Sequence, residues 1–226
     1  MSATRIDYAD MTWNPVWGCT GSCPYCYARK MAKRFGIVVN GKRYKDFEPR
    51  WIERNFNRPF PRKSSRIFVN SMSDIADWDP IWLSRADMKM RRYPEHMFIM
   101  LTKRSEKLGW YMRAQNTMLG ASVTDQESYI AESFQVADGL IDFLSIEPLL
   151  GPIDMKEMTC GQILHWIIVG SETGNRKDRV IPKLTWLVSI RDFARENEIP
   201  LFFKESLRRI WPGELPQEYP TWPRKS

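Results

Sequence analysis

The chain of 226 residues carries 34 Lys and Arg against 27 Asp and Glu, a net charge of +7, with 43% hydrophobic and 13% aromatic residues. That length and apolar content support one large folded domain or two small ones and exclude a disordered chain. The opening MSATRIDYADMTW has no apolar signal-peptide core, and no apolar run approaches the ~20 residues of a membrane span, so the sequence predicts a cytoplasmic protein with no membrane partner and reduced thiols.

In chain order, a short strand is expected over residues 12–17, followed by GCTGSCPYCYA at 18–28, which holds Cys19, Cys23 and Cys26; the only other cysteine is Cys160. Gly18, Gly21 and Pro24 interrupt helical spacing, so the three thiols read as a loop, with a helix beginning after it at YARKMAKRF, 27–35. An insertion over 37–65 comes next. Its charge is concentrated in 41–66, where nine Lys or Arg face three Asp or Glu and Tyr44, Phe47, Trp51, Phe56 and Phe60 are interleaved. Cations with aromatics between them suit phosphate contact and base stacking, which makes Lys42, Arg43, Trp51, Arg54 and Arg62 nucleic-acid candidates. The alternative is a solvated insertion whose aromatics pack back on the core.

Six continuous apolar runs then recur, each ending in a polar tip: RIFVNS (66–71), MFIMLTK (97–103), MLGASVT (118–124), DFLSIEP (142–148), HWIIVGSE (165–172) and PLFFKES (200–206). Runs without polar alternation suit parallel strands buried on both faces. Helical stretches lie between them at 79–92, 125–137 and 183–197. The alternation predicts an α/β chain, a single domain over 1–226 built as a partial (β/α) barrel of six to seven mostly parallel strands, with a doubly wound sheet as the alternative. Functional groups then belong at the strand C-termini, where Asn70, Ser71, Lys103, Ser122, Thr124, Glu147, Ser171, Glu172 and Lys204 fall. The proline-rich tail over 208–226 reads as an extended C-terminal strap.

Three thiols are an awkward number. A structural zinc site needs a fourth ligand, and Cys160, His96 and His165 all precede strands, at the expected far end of the sheet from the loop. Inert packing is disfavoured by the Gly, Ser and Pro between the cysteines. A [4Fe-4S] cluster is normally held by four cysteines, so three would leave one iron open to another ligand.

Cys-x3-Cys-x2-Cys with Tyr25 just before the last cysteine resembles the signature of the radical SAM superfamily. The surrounding TWNPVWGCTGSCPYCYA, followed in order by LTKR, SIEPLLGPI, IVGSETG and FFKES, resembles more narrowly a group of phage-encoded three-cysteine-motif proteins of that superfamily. The resemblance implies that Cys19, Cys23 and Cys26 ligate the cluster, that S-adenosylmethionine binds the open iron, and that one electron yields a 5′-deoxyadenosyl radical that takes a substrate hydrogen. It implies that Asn70, Ser71 and Met72 meet the methionine amino group, although the family's Gly-Gly-Glu is absent there. Ser122 would face the ribose, Tyr25 would contribute to the cofactor site, and Glu147, Glu172 and Lys103 become catalytic candidates. Cys160 is either a hydrogen-atom donor or a packing residue. The implied partners are a flavodoxin or ferredoxin as electron donor and a nucleic acid or nucleotide substrate, in a phage-infected or lysogenic host. Two rivals remain: a zinc-bound, non-catalytic nucleic-acid-binding module, and a barrel that keeps its cluster for redox sensing or partner binding.

Overall fold

Each of the six apolar runs forms a strand in the computed structural model, which describes residues 4, 6–109, 111–157, 164–173 and 176–221. The chain divides into two units, Met1–Met100 with Met112–Thr117, and Leu101–Tyr111 with Met118–Ser226. The first unit holds β1 (Met11–Thr12), β2 (Val16–Trp17), α1 (Tyr27–Phe35), β3 (Ile37–Val39), β4 (Lys42–Tyr44), β5 (Arg50–Trp51), α2 (Glu53–Phe56), β6 (Arg66–Phe68) and α3 (Pro80–Arg91). Next comes β7 (Met97–Thr102), at the boundary of the units. The second unit holds β8 (Thr117–Val123, its first residue in the first unit), α4 (Gln126–Ala137), β9 (Phe143–Ile146), β10 (Trp166–Val169), α5 (Leu184–Glu196) and β11 (Leu201–Phe203).

The main sheet has the order β1-β6-β7-β8-β9-β10-β11. Its registers are parallel, with Thr12 opposite Phe68, Phe68 opposite Ile99, Ser122 opposite Ser145, Ile168 opposite Ser145 and Phe202 opposite Ile168. All residues of β8, β9, β10 and β11 are buried, which is why their sequences show no polar alternation. The helices start where capping chemistry dictates. Asp79 accepts from the Ile81 N–H at 2.8 Å ahead of Pro80, and Asp125 and Ser128 form a reciprocal capping box.

One detail differs from the sequence reading and a second adds to it. The strand expected over 12–17 is split: β1 pairs with β6 in the main sheet, whereas β2 pairs antiparallel with β5 of the insertion. Pro15, with no N–H for a ladder, sits between them, and its carbonyl accepts from the Ile52 N–H at 2.7 Å. The insertion is also ordered: β3 and β4 form a hairpin around Asn40-Gly41, whose positive φ angles of 49° and 78° suit a two-residue turn. Its Phe47 and Phe60 are buried, and Phe60 meets Trp13, Tyr93 and Phe98 edge-on at 4.9–5.1 Å in the core of the first unit. In the second unit the C-terminal segment runs beside β11, where the Phe203 N–H donates to Pro216 O and the Trp166 indole to Glu218 O. No described helix is long and apolar enough to cross a membrane.

Candidate metal centre and strand-tip residues

The cysteine loop hangs from two backbone anchors in the first unit. Gly18, at φ 105°, donates its N–H to Met72 O at 2.9 Å, and Cys19 donates its N–H to Phe47 O at 2.8 Å. A Cβ on Gly18 would lie 2.1 Å from Glu48 O, so only glycine fits this approach. Within the loop, Cys19 Sγ accepts from the Gly21 N–H at 3.2 Å. Cys26 is the N-cap of α1, and its Sγ accepts from the Arg29 N–H at 3.3 Å. The Arg29 side chain turns back and donates to Cys19 O at 2.8 Å and to Gly21 O, while Thr20 donates through both N–H and Oγ1 to Asp77, each at 2.8 Å. All three thiols are half-buried and unpaired. Burial pushes the Cys19 thiol up to about 12, and the Asp74 and Asp77 carboxylates add to the rise against the opposing Gly21 N–H. A soft metal would take the place of that proton.

The tip after β6 lies against this loop. Ser71 Oγ and the Met72 N–H both donate to Asn14 Oδ1, at 3.1 and 3.2 Å, and the Tyr27 hydroxyl donates to Ser71 O at 2.6 Å. Buried Asn70 donates to Ser73 O at 3.3 Å, and Met72 packs with Ala28, Ala32 and Phe47 against Trp17, Cys19 and Cys26. Asn70, Ser71 and Met72 are thus brought to the thiols, and Tyr25 is half-buried within the loop itself. Two buried donors here have no hydrogen-bond partner, Trp17 Nε1 and Arg29 Nε. Asn14, Tyr27, Arg29 and Asp77 were not singled out from sequence.

The zinc alternatives fare differently. His96 is fully buried among Phe60, Tyr93 and Phe98, with Nδ1 accepting from the Ser65 N–H at 3.2 Å, so its ring serves the core. His165 is exposed in the second unit, and Cys160 lies outside the described residues. Among the described residues no three His, Cys, Asp or Glu side chains are gathered as a site for a metal ion.

Of the nucleic-acid candidates, Lys42, Arg43, Arg54 and Arg62 are exposed. Trp51 is engaged internally. Its indole donates to Glu53 at 2.6 Å, its ring meets Phe56 at 4.8 Å, and Arg85 lies over it at 4.7 Å while pairing with Glu53 at 2.9 Å.

In the second unit the strand tips form a row. Lys103 Nζ donates to Ser122 Oγ at 2.6 Å, Ser122 Oγ donates to Glu147 O at 3.4 Å, and Glu147 is ion-paired with Lys204. Gly170 leaves room for that pair, since a Cβ there would stand 3.0 Å from Lys204 Cδ and 3.2 Å from Glu147 Cδ. Two residues below Glu147 on the same strand face, Ser145 Oγ is fully buried without a partner. Glu172 is buried and held bidentate by Arg176 at 2.7 and 2.8 Å, and Ser171 bonds Ser206.

The family model described as "Protein of unknown function (DUF5131)" matches residues 3–209. The chain belongs to this family. No curated protein matches it. Among solved structures, its fold is similar to that of a spore photoproduct lyase point mutant, with a TM-score of 0.52, 12% identity, and coverage of 89% of this chain and 78% of that chain. At that identity the likeness is one of fold. The family member therefore has an α/β fold, with seven parallel strands among the described residues as in a partial barrel. Its thiols fit a cluster by their chemistry, because soft sulfur donors already accept N–H bonds at Cys19 and Cys26, the kind of bond that tunes iron–sulfur centres.

Proposed function

We propose that this chain is a radical SAM enzyme in which Cys19, Cys23 and Cys26 ligate a [4Fe-4S] cluster and S-adenosylmethionine completes the open iron, acting on a nucleic acid or nucleotide. The observation that carries the reading is the loop itself: three soft thiols within eight residues, two of them accepting backbone N–H bonds, on a fold of the radical SAM type. When bound, the cofactors supply one-electron cleavage of the sulfonium and hydrogen abstraction.

The chain's own residues hold and orient. Arg29 ties the loop through the Cys19 and Gly21 carbonyls, holding the backbone that carries Cys19 against the start of α1. Asn14 and Tyr27 brace the tip at Ser71 and Met72, and this braced tip of Asn70, Ser71 and Met72 meets the methionine end of the cofactor. Ser122, with Lys103 donating to it, serves the ribose side. Glu147, ion-paired with Lys204, and Glu172, ion-paired with Arg176, are the carboxylates offered for contact with cofactor or substrate. A small reducing protein of the flavodoxin or ferredoxin kind supplies the electron.

The test is the metal content of protein reconstituted anaerobically with iron and sulfide. Four irons and four labile sulfides per chain support the reading, with loss of the brown chromophore in each of Cys19→Ala, Cys23→Ala and Cys26→Ala and its retention in Cys160→Ala. Stoichiometric zinc in the protein as isolated, or a Cys160→Ala variant as colourless as Cys23→Ala, overturns it.

A further inference from the structure

Helix α1 buries only its small residues. Ala28 and Ala32 pack on Phe47 and Met72. The adjoining side exposes Tyr27, Met31 and Phe35 at 55%, 43% and 53%, spaced i, i+4, i+8 along one stripe, and Val38 of β3 follows at 51%. Around this stripe the charge has one sign. Residues 27–45 contain seven Lys or Arg and no Asp or Glu, and Lys30, Lys33, Arg34, Lys42 and Lys45 are all exposed. Helix and hairpin form one surface, because Arg43 Nη1 donates to Phe35 O at 2.6 Å. The surface begins at the metal loop, since the N-cap of α1 is Cys26.

We propose that this face binds single-stranded nucleic acid and leads it toward the cysteine loop, an inference that takes its ligand class from the substrate class proposed above. A second copy of the chain is a poor occupant, since it would present the same unbroken positive charge. A flexible polyanion with flat rings fits better. Tyr27 and Phe35 stand about 12 Å apart along the helix at its 1.5 Å rise, and bases stack on aromatic rings whatever their identity while lysines neutralise the phosphates. The Arg34 guanidinium, 4.9 Å from the centre of the Phe35 ring, extends the platform with a second planar cation. The stacking role passes from Trp51, whose ring is held by Phe56 and Arg85, to Phe35 and Tyr27.

The experiment measures binding of fluorescent 20-nucleotide oligo-dT and oligo-U by anisotropy across a salt series, with duplex DNA, poly-glutamate and phosphatidylserine vesicles as competitors. It is run on both metal-free and reconstituted protein. The triple change Lys30→Ala, Lys33→Ala, Arg34→Ala is expected to lower the log–log salt slope by about 2, at roughly 0.7 per phosphate contact on a single strand. Phe35→Ala is expected to leave the slope unchanged and weaken binding about 5- to 150-fold, with an unchanged melting temperature because the ring is exposed. Trp51→Ala should do the reverse, lowering the melting temperature without changing affinity. An unaltered slope in the triple variant, or stronger competition by vesicles or poly-glutamate than by single strands, overturns the proposal. Failure to take up a cluster would count against the enzyme reading alone, because oligonucleotide binding is read on the metal-free protein as well.

Discussion

Gly18→Ala is the sharpest perturbation of the cysteine loop that leaves every thiol in place. Gly18 sits at φ 105°, outside the range that side-chain-bearing residues adopt, and the new methyl would stand 2.1 Å from Glu48 O and 2.4 Å from Glu48 C. Both atoms are backbone, so neither can swing aside. The left-handed conformation costs roughly 1–2 kcal/mol, and forcing a methyl into a filled space adds roughly 1–3 kcal/mol, a total of about 2–5 kcal/mol. Gly41→Ala is the matched control, with φ 78° and nothing within 4 Å of its added methyl, so it carries only the conformational cost. Urea unfolding of the two variants should give a much lower midpoint for Gly18→Ala at an unchanged slope. Reconstitution should give iron uptake near wild type for Gly41→Ala and strongly reduced uptake for Gly18→Ala, because the Gly18–Met72 and Cys19–Phe47 bonds cannot both survive. Equal midpoints and equal iron uptake in the two variants would refute the reasoning.

Arg29→Met should lose roughly 1.5–3 kcal/mol of charge-assisted bonding to the Cys19 and Gly21 carbonyls and reduce cluster occupancy, while circular dichroism stays unchanged and Arg29→Lys recovers part of the loading. For Asp10, hydrogen bonding from the Arg66 side chain holds the carboxyl below its ordinary value. Its stabilising effect is therefore complete above about pH 3.9 and is lost as pH falls through the lowered folded value. The stability difference between wild type and Asp10→Asn, followed by urea midpoint against pH, should shrink on acidification; a difference that grows would contradict the assignment.

The parts of the fold that were legible in sequence are those set by local chemistry. Parallel strands buried on both faces must be continuously apolar, so IFV, MFIML and WIIV marked themselves, and Asp79-Pro80 announced the start of α3. The helix after the cysteines was legible because Pro24 cannot continue a helix backward. The β3–β4 hairpin carried a strong signal in Asn40-Gly41, which the charge of the segment obscured. Pairing of β2 with β5 left no trace, since two residues per strand have no periodicity. At the site, cysteine spacing identified the thiols. What holds them did not show, because Asn14 and Asp77 act across 57 residues of sequence and Arg29 reads as an ordinary surface cation until its side chain is seen folded onto the loop. Composition likewise placed Trp51 among arginines without showing that its ring packs on Phe56 with Arg85 over it.

The central claim is that three thiolates leave an iron open for S-adenosylmethionine, and the most direct measurement is the formation of 5′-deoxyadenosine by the reconstituted, dithionite-reduced protein, quantified by mass spectrometry with Cys23→Ala alongside. The account predicts slow cleavage without substrate and none in the variant. A protein that carries a full four-iron cluster and yields no 5′-deoxyadenosine, with an electron paramagnetic resonance signal unmoved by S-adenosylmethionine, would contradict it and point to a redox or partner-binding role.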